Sequence, residues 1–185
     1  MTLAHRATWL IALSSVVAAC SLPEVPYINP PKPAALARLT DSGGRVVGQA
    51  VFAQSGGRIR ILVDVTGLPP GPKAVHVHEL GQCDPPAFTG AGGHVNPTNA
   101  EHGSKNPRGP HAGDLPDIVV EADGRGHLET TTSRITLRKG PTSLLDADGS
   151  AIVLHERADD LRTDPDGASG ARIACGVLVA AGRFF

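Results

Sequence analysis

His76-Val77-His78 sets two imidazoles two residues apart in a strand-like apolar run. On a strand, residues two apart project from the same face, so both rings can reach one metal ion. His94, His102 and His111 follow in the same stretch, and the carboxylate of Asp114 comes three residues after the last. His155 closes a second apolar run, Ala151 to His155. This clustering argues against scattered surface histidines. His94 and His155 are remote from His76 and His78 in sequence, but a fold can bring them to the same ion. Four nitrogen ligands in a tetragonal arrangement suit Cu(II). His102, His111 and Asp114 form a second set on a loop rich in glycine and proline, where three nitrogens and one oxygen in a tetrahedron would suit zinc. Counting alone leaves open which histidine serves which metal.

The elements that must position these groups read as β-strands. Arg58 to Val65 alternates Ile59, Ile61, Val63 and Val65 with Arg58, Arg60 and Asp64, the period-two signature of a half-buried strand. Arg45 to Ala53 is a strand joined to it by a hairpin at Gly56-Gly57. Leu68 to Pro72 breaks the chain, and a new strand begins at Ala74 and runs to His78. Ile118 to Ala122 and Gly126 to Thr132 flank Asp123-Gly124, a strong hairpin signal. Ala151 to His155 and Arg172 to Ala180 complete the set. Two long loops, Glu79 to Pro116 and Glu156 to Ala171, interrupt the short strands, and loops of that length in compact domains are usually functional or disordered. No stretch has a convincing helical period. The pattern predicts an all-β domain, an antiparallel sandwich or barrel.

Composition agrees. The chain has 185 residues with Gly 22, Pro 16 and 3% aromatics, a loop-rich profile of one-domain length. A net charge of -1 gives no case for nucleic-acid binding. Residues 1–19 read as an export signal: Arg6 supplies the positive start, Trp9 to Val17 an apolar core too short to span a bilayer. Val17-Ala18-Ala19-Cys20 resembles a bacterial lipoprotein signal, with Cys20 as the lipid acceptor after cleavage. The expected location is the cell envelope, anchored to a membrane on its periplasmic or extracellular face. Residues 20–35 carry five prolines in the run SLPEVPYINPPKPAALA and read as an extended tether, leaving 36–185 as the domain. Export also favours a bridge between Cys83 and Cys175. Closing a loop of about ninety residues stabilises by roughly 4.5 kcal/mol on chain entropy.

Five runs then carry a resemblance: His76-Val77-His78, Gly93-His94-Val95-Asn96-Pro97, His111-Ala112-Gly113-Asp114-Leu115-Pro116, Leu144 to Ser150, and Arg172-Ile173-Ala174-Cys175-Gly176. In this order and spacing they resemble the bacterial copper/zinc superoxide dismutases, over roughly Gly48 to Leu178. The resemblance implies an eight-stranded antiparallel Greek-key β-sandwich or flattened barrel with two functional loops. It also implies superoxide as substrate, with one copper and one zinc per subunit. Copper would be held by His76, His78, His94 and His155, and zinc by His94, His102, His111 and Asp114. The shared His94 would be an imidazolate between the two ions. Asp159 matches the carboxylate that accepts hydrogen bonds from His76 and His102. Arg172 matches the arginine that attracts and orients the anion. Arg157 stands where the family has a channel lysine. Lys105 and Arg108 lie in the zinc loop and are candidates for steering. Family members occur as monomers and as homodimers, so a dimer is compatible with the chain.

The competing reading is an envelope lipoprotein that sequesters copper or zinc without turnover. Such a protein needs the histidines but not an anion-guiding arginine, and copper storage favours methionine and cysteine ligands. The one methionine here is Met1. A zinc hydrolase would need a spare general base beside the ligands, and no motif supplies one. His127, beside the Asp123-Gly124 turn, is expected to be exposed and idle, and Gly90 to Gly93 to be a tight loop rather than a phosphate cradle, since no helix start follows it.

Overall fold

The computed structural model describes residues 34–183. The expected signal peptide, Cys20 and the tether up to residue 33 lie outside the described residues.

Ten strand segments form one antiparallel sheet. They are β1 (Ala34–Asp41), β2 (Val46–Ser55), β3 (Arg58–Val65), β4 (Gly71–Lys73), β5 (Val75–His78), β6 (Ile118–Val120), β7 (Gly126–Thr132), β8 (Ala151–His155), β9 (Arg172–Val177) and β10 (Val179–Ala180). The order across the sheet is β4-β6-β7-β3-β2-β1-β9-β8-β5, with β10 beside β1. β4 and β5 are separated by Ala74 alone, yet pair with β6 and β8 at opposite ends of the sheet. The sheet therefore closes through Ala74 into a flattened barrel. β9 and β10 flank Leu178, and both pair with β1. Counting β4 with β5 and β9 with β10, eight strands remain, in the Greek-key arrangement that the sequence implies.

Local chemistry explains the elements. In β3, Ile59, Ile61, Val63 and Val65 are buried while Arg58, Arg60 and Asp64 face water. The β2–β3 hairpin turns at Gly56, whose φ of 57° lies in the left-handed region that favours glycine. Gly124, with φ 80°, does the same between β6 and β7. Both follow the expected turn chemistry. The interior is filled by Leu39, Val47, Phe52, Ile59, Ile61, Val75, Val77, Ile118, Ile135, Leu144, Ile152 and Leu154. Each such side chain contributes about 1.5–3 kcal/mol on burial.

Two segments differ from the sequence reading. β1 begins at Ala34, so the tether's last two residues are in a strand. Gly71 and Pro72, read as the end of a break, pair with β6 in the short strand β4. A third long connection, 133–150, accompanies the two expected ones. It inserts Ile135, Leu137 and Leu144 into the core. Buried Gln54 holds it, donating to Thr136 Oγ1 (2.9 Å) and accepting from the Leu137 amide (2.7 Å).

β5 and β8 are buried on both faces, and this matters most for chemistry. Val75 and Val77 point into the barrel, so His76 and His78 point outward beneath the loops.

Candidate metal centre

The loop 79–117 returns along the free edge of β5. Val77 donates its amide to Gly113 O (2.9 Å) and accepts from Val95 N (2.9 Å), and Leu115 N donates to Val75 O (3.2 Å). These bonds set His94 opposite His78 and Asp114 opposite His76. A methyl group on Gly113 would collide with the Val77 carbonyl, so only glycine allows this close approach. His155 arrives from the other side, at the end of β8, where the register with β9 shifts.

All six ligand-type histidines and Asp114 are buried. The hydrogen bonds fix which ring nitrogen is free, because a carbonyl or carboxylate oxygen can only accept. His76 donates from Nε2 to Asp159 Oδ2 (3.1 Å), His78 from Nδ1 to Gly92 O (3.0 Å), and His155 from Nδ1 to Gly170 O (3.3 Å). Their other nitrogens, His76 Nδ1, His78 Nε2 and His155 Nε2, are buried without a partner, and so is His94 Nε2. Such orphaned acceptors are costly unless something binds them. Atoms of these four residues lie within 4.8 Å of one another, the arrangement four imidazoles need to ligate one ion. The donor set is all nitrogen, which suits Cu(II).

His94 faces both ways. Its Nδ1 lies 3.0 Å from Asp114 Oδ1 and 3.3 Å from His111 Nδ1. Asp114 Oδ1 is also 3.2 Å from His102 Nδ1 and 3.3 Å from His111 Nδ1. A tetrahedral zinc ion with bonds of 2.0–2.1 Å has ligand atoms about 3.3–3.4 Å apart. The spacing of His94, His102, His111 and Asp114 fits that ion. A grouping by distance alone puts His76 beside His94, His102 and Asp114. Orientation favours His111 there, since His76 gives Nε2 to Asp159 and His111 Nδ1 converges on Asp114 and His94. His102 donates from Nε2 to Asp159 Oδ1 (2.9 Å), so one buried carboxylate ties a histidine of each cluster. Gly167, with φ 67°, packs against this link with no room for a side chain.

Charge follows from burial. Burial pushes His76 down to about 4 against the pull of Asp159. It pushes His78 down to about 2 and His155 to about 3. These rings are therefore neutral, as metal ligands must be. For His102, burial opposes the charge, but hydrogen bonds to Asp114 and Asp159 outweigh it and raise the ring to about 10. Burial would raise Asp114 and Asp159, yet bonds from the histidines hold both below the usual carboxylate range.

A cleft of about 450 Å³ opens onto His78, His94, His111 and His155. Among the described residues, Arg172 is the one lysine or arginine that lines it, together with Glu79, Asp164 and Asp166. The Arg172 guanidinium donates from Nη1 to Phe88 O (2.6 Å) and from Nη2 to Gly92 O (2.7 Å). Arg157, Lys105 and Arg108 lie outside that lining. Arg157 donates to Ala168 O (2.9 Å), Lys105 to Asp160 O (3.3 Å), and Arg108 pairs with Glu101. His127 is exposed and paired with Asp64 at 2.7 Å. Sequence reasoning missed Asp164, which accepts from the His102 amide (2.6 Å). It also missed Glu79, which accepts from Gly93 N (3.0 Å) beside His94. Glu79 follows His78 directly, and that adjacency was the available signal.

Cys83 and Cys175 form the expected disulfide, with Cα atoms 5.6 Å apart. It ties loop 79–117 to β9, and such bridges belong to oxidising, exported settings.

Comparison with known proteins agrees with this geometry. Residues 46–178 match the family described as copper/zinc superoxide dismutase. A Cu-Zn superoxide dismutase of Deinococcus radiodurans is 39% identical, over 92% of this chain and 94% of its own length. Superoxide dismutase [Cu-Zn] 2 of Aquifex aeolicus is 42% identical, over 77% of this chain and 84% of its own length. The crystal structure of a SOD-like protein from Bacillus subtilis superposes with a TM-score of 0.75 at 41% identity, covering 78% of this chain and 97% of that one. Two buried clusters joined by one histidine, on this barrel and with these relatives, lead to one conclusion: the chain belongs to the copper/zinc superoxide dismutase family.

Proposed function

We propose that the cleft is the active site of a superoxide dismutase, with copper held by His76, His78, His94 and His155 and zinc by His94, His102, His111 and Asp114. One observation carries the reading. His94 aims an unpartnered Nε2 at one cluster and its Nδ1 at the other. Bound copper supplies the alternating one-electron reduction and oxidation that turns two superoxide anions and two protons into dioxygen and hydrogen peroxide, while zinc supplies charge without redox change.

The chain's own groups do the rest. Arg172 attracts the anion into the cleft and orients it, its fork pinned by two carbonyls. His94 Nε2 is the atom that holds a proton between half-reactions and returns it to the developing peroxide. Asp159 orients His76 and His102 through their Nε2 protons. The buried neutral rings keep the copper site free of competing protons near neutral pH.

The test is dismutation by the metal-reconstituted protein, with His155→Ala and Arg172→Ala beside it. His155→Ala is expected to lose copper and activity while retaining zinc. Arg172→Ala is expected to keep both metals and lose roughly tenfold in rate, with a weaker ionic-strength dependence. Copper binding without dismutation by the unaltered chain would favour sequestration, a reading that the Arg172 arrangement and the family do not favour.

The lipid anchor at Cys20, with 20–35 as tether, completes the proposal. Support comes from the Val17-Ala18-Ala19-Cys20 run. Fatty-acid labelling in cells tests it. Label lost in Cys20→Ser is the expected result, and no label in the unaltered chain overturns it.

A further inference from the structure

We propose that Phe88 is a positioning residue for Arg172, setting the guanidinium against the cleft through the backbone turn it anchors. The inference rests on the reading of Arg172 as the anion-guiding group.

Phe88 has φ 54° and ψ 27°, the left-handed region, which is an outlier for a bulky side chain and persists only where surroundings enforce it. Its ring is fully buried in a small cluster with Ala91, Ala151, Val153 and Cys175, against which Cys83 packs. The ring thus plugs the segment after Cys83 into β8 and β9, apart from the main core. From this plug the backbone makes a single 3-10 turn, Thr89–Ala91, ending at Gly92. Phe88 N donates to Asp84 O (3.0 Å), closing the segment behind it.

The two ends of that turn are the acceptors for Arg172. Phe88 O takes Nη1 at 2.6 Å and Gly92 O takes Nη2 at 2.7 Å. A guanidinium is a rigid planar fork, so two acceptors at a fixed separation fix its plane as well as its place. Gly92 O also accepts from His78 Nδ1 (3.0 Å), so the same turn registers the arginine against a proposed copper ligand. The disulfide alone does not do this. It fixes the chain at Cys83, five residues before the turn, whereas the buried ring fixes the turn itself.

The experiment uses the full chain loaded with copper and zinc, with azide as an anion that binds Cu(II) and is followed by its absorption. Phe88→Ala, Phe88→Leu, Arg172→Ala and the double variant Phe88→Ala/Arg172→Ala are compared. Phe88→Ala is expected to weaken azide binding roughly tenfold, toward the Arg172→Ala value. The azide-free copper spectrum and the Cys83–Cys175 bridge should stay unchanged. Amide hydrogen exchange across 88–92 is expected to accelerate in Phe88→Ala. In the double variant the second change should add no further loss. Azide affinity at the unaltered level in Phe88→Ala overturns the proposal, and so does an undiminished loss in the Arg172→Ala background. Should Phe88→Ala not fold, Phe88→Leu, which removes the ring and leaves the cluster only partly filled, is read the same way with a smaller expected loss, and unaltered azide affinity there also overturns the proposal. If Arg172→Ala itself leaves azide binding and ionic-strength dependence unchanged, the reading of Arg172 fails. If Arg172→Ala weakens azide and Phe88→Ala does not, only the role of Phe88 fails.

Discussion

Asp159 accepts from His76 Nε2 and His102 Nε2 with one carboxylate. An amide in its place has one acceptor oxygen, so Asp159→Asn leaves one ring unsupported. The expected result is a ten- to hundredfold loss of affinity for at least one metal, read by chelator competition for each ion. The histidines also set a pH dependence. An unfolded histidine titrates at about 6.5. His76, His78 and His155 are depressed to about 4, 2 and 3 when folded. Their contribution to stability is present above 6.5 and lost as pH falls toward those values. The depressed carboxylates of Asp114 and Asp159 act in the same direction at still lower pH. His102, raised to about 10, contributes below 6.5 and loses that contribution as pH rises through 10. The melting temperature of metal-free protein is therefore expected to fall between pH 7 and 4.5, and also as pH rises from about 6.5 toward 10. At this scale the sequence was informative. The six histidines and Asp114 that the fold buries side by side were all singled out from type and motif. What it did not carry was tautomer, because the partners that choose it, Gly92 O and Gly170 O, are backbone atoms of distant loops.

At the scale of elements, legibility followed hydrophobic contrast. β3 matches its expected span because its buried and exposed positions alternate by residue type, and β7 matches because the Asp123-Gly124 turn marks where it begins. β1 escaped because its inward positions include Ala35 and Ala37, too weakly apolar to mark a strand, and because prolines precede it. β4 escaped because a strand of three residues holding Pro72 carries no period. The placement of Lys105, Arg108 and Arg157 depends on how two irregular loops pack, which no local pattern encodes. Gly113 is the sharpest constraint on that packing. Gly113→Ala is expected to push loop 79–117 off β5, lowering zinc affinity more than copper affinity. It should also destabilise the loaded protein by about 2 kcal/mol or more, measured by chelator competition and chemical denaturation.

For the whole molecule, the disulfide and the barrel closure act together. The bridge spans 92 residues and joins loop 79–117 to β9. Chain entropy assigns it about 4.6 kcal/mol. Cys83→Ser/Cys175→Ser is expected to lose about 2–4.5 kcal/mol of stability in denaturant titrations, and to loosen Arg172 more than the barrel. The last feature concerns the rim of β5. One side of that strand pairs with β8, and the other is covered by loop residues 93–115 through a few backbone bonds. The loop is thus a protective cover as well as the carrier of the proposed zinc ligands. When zinc is stripped and the loop lifts, the strand Val75–His78 presents bare amides and carbonyls to any neighbouring chain, and strand-to-strand aggregation becomes the failure mode of the demetallated protein.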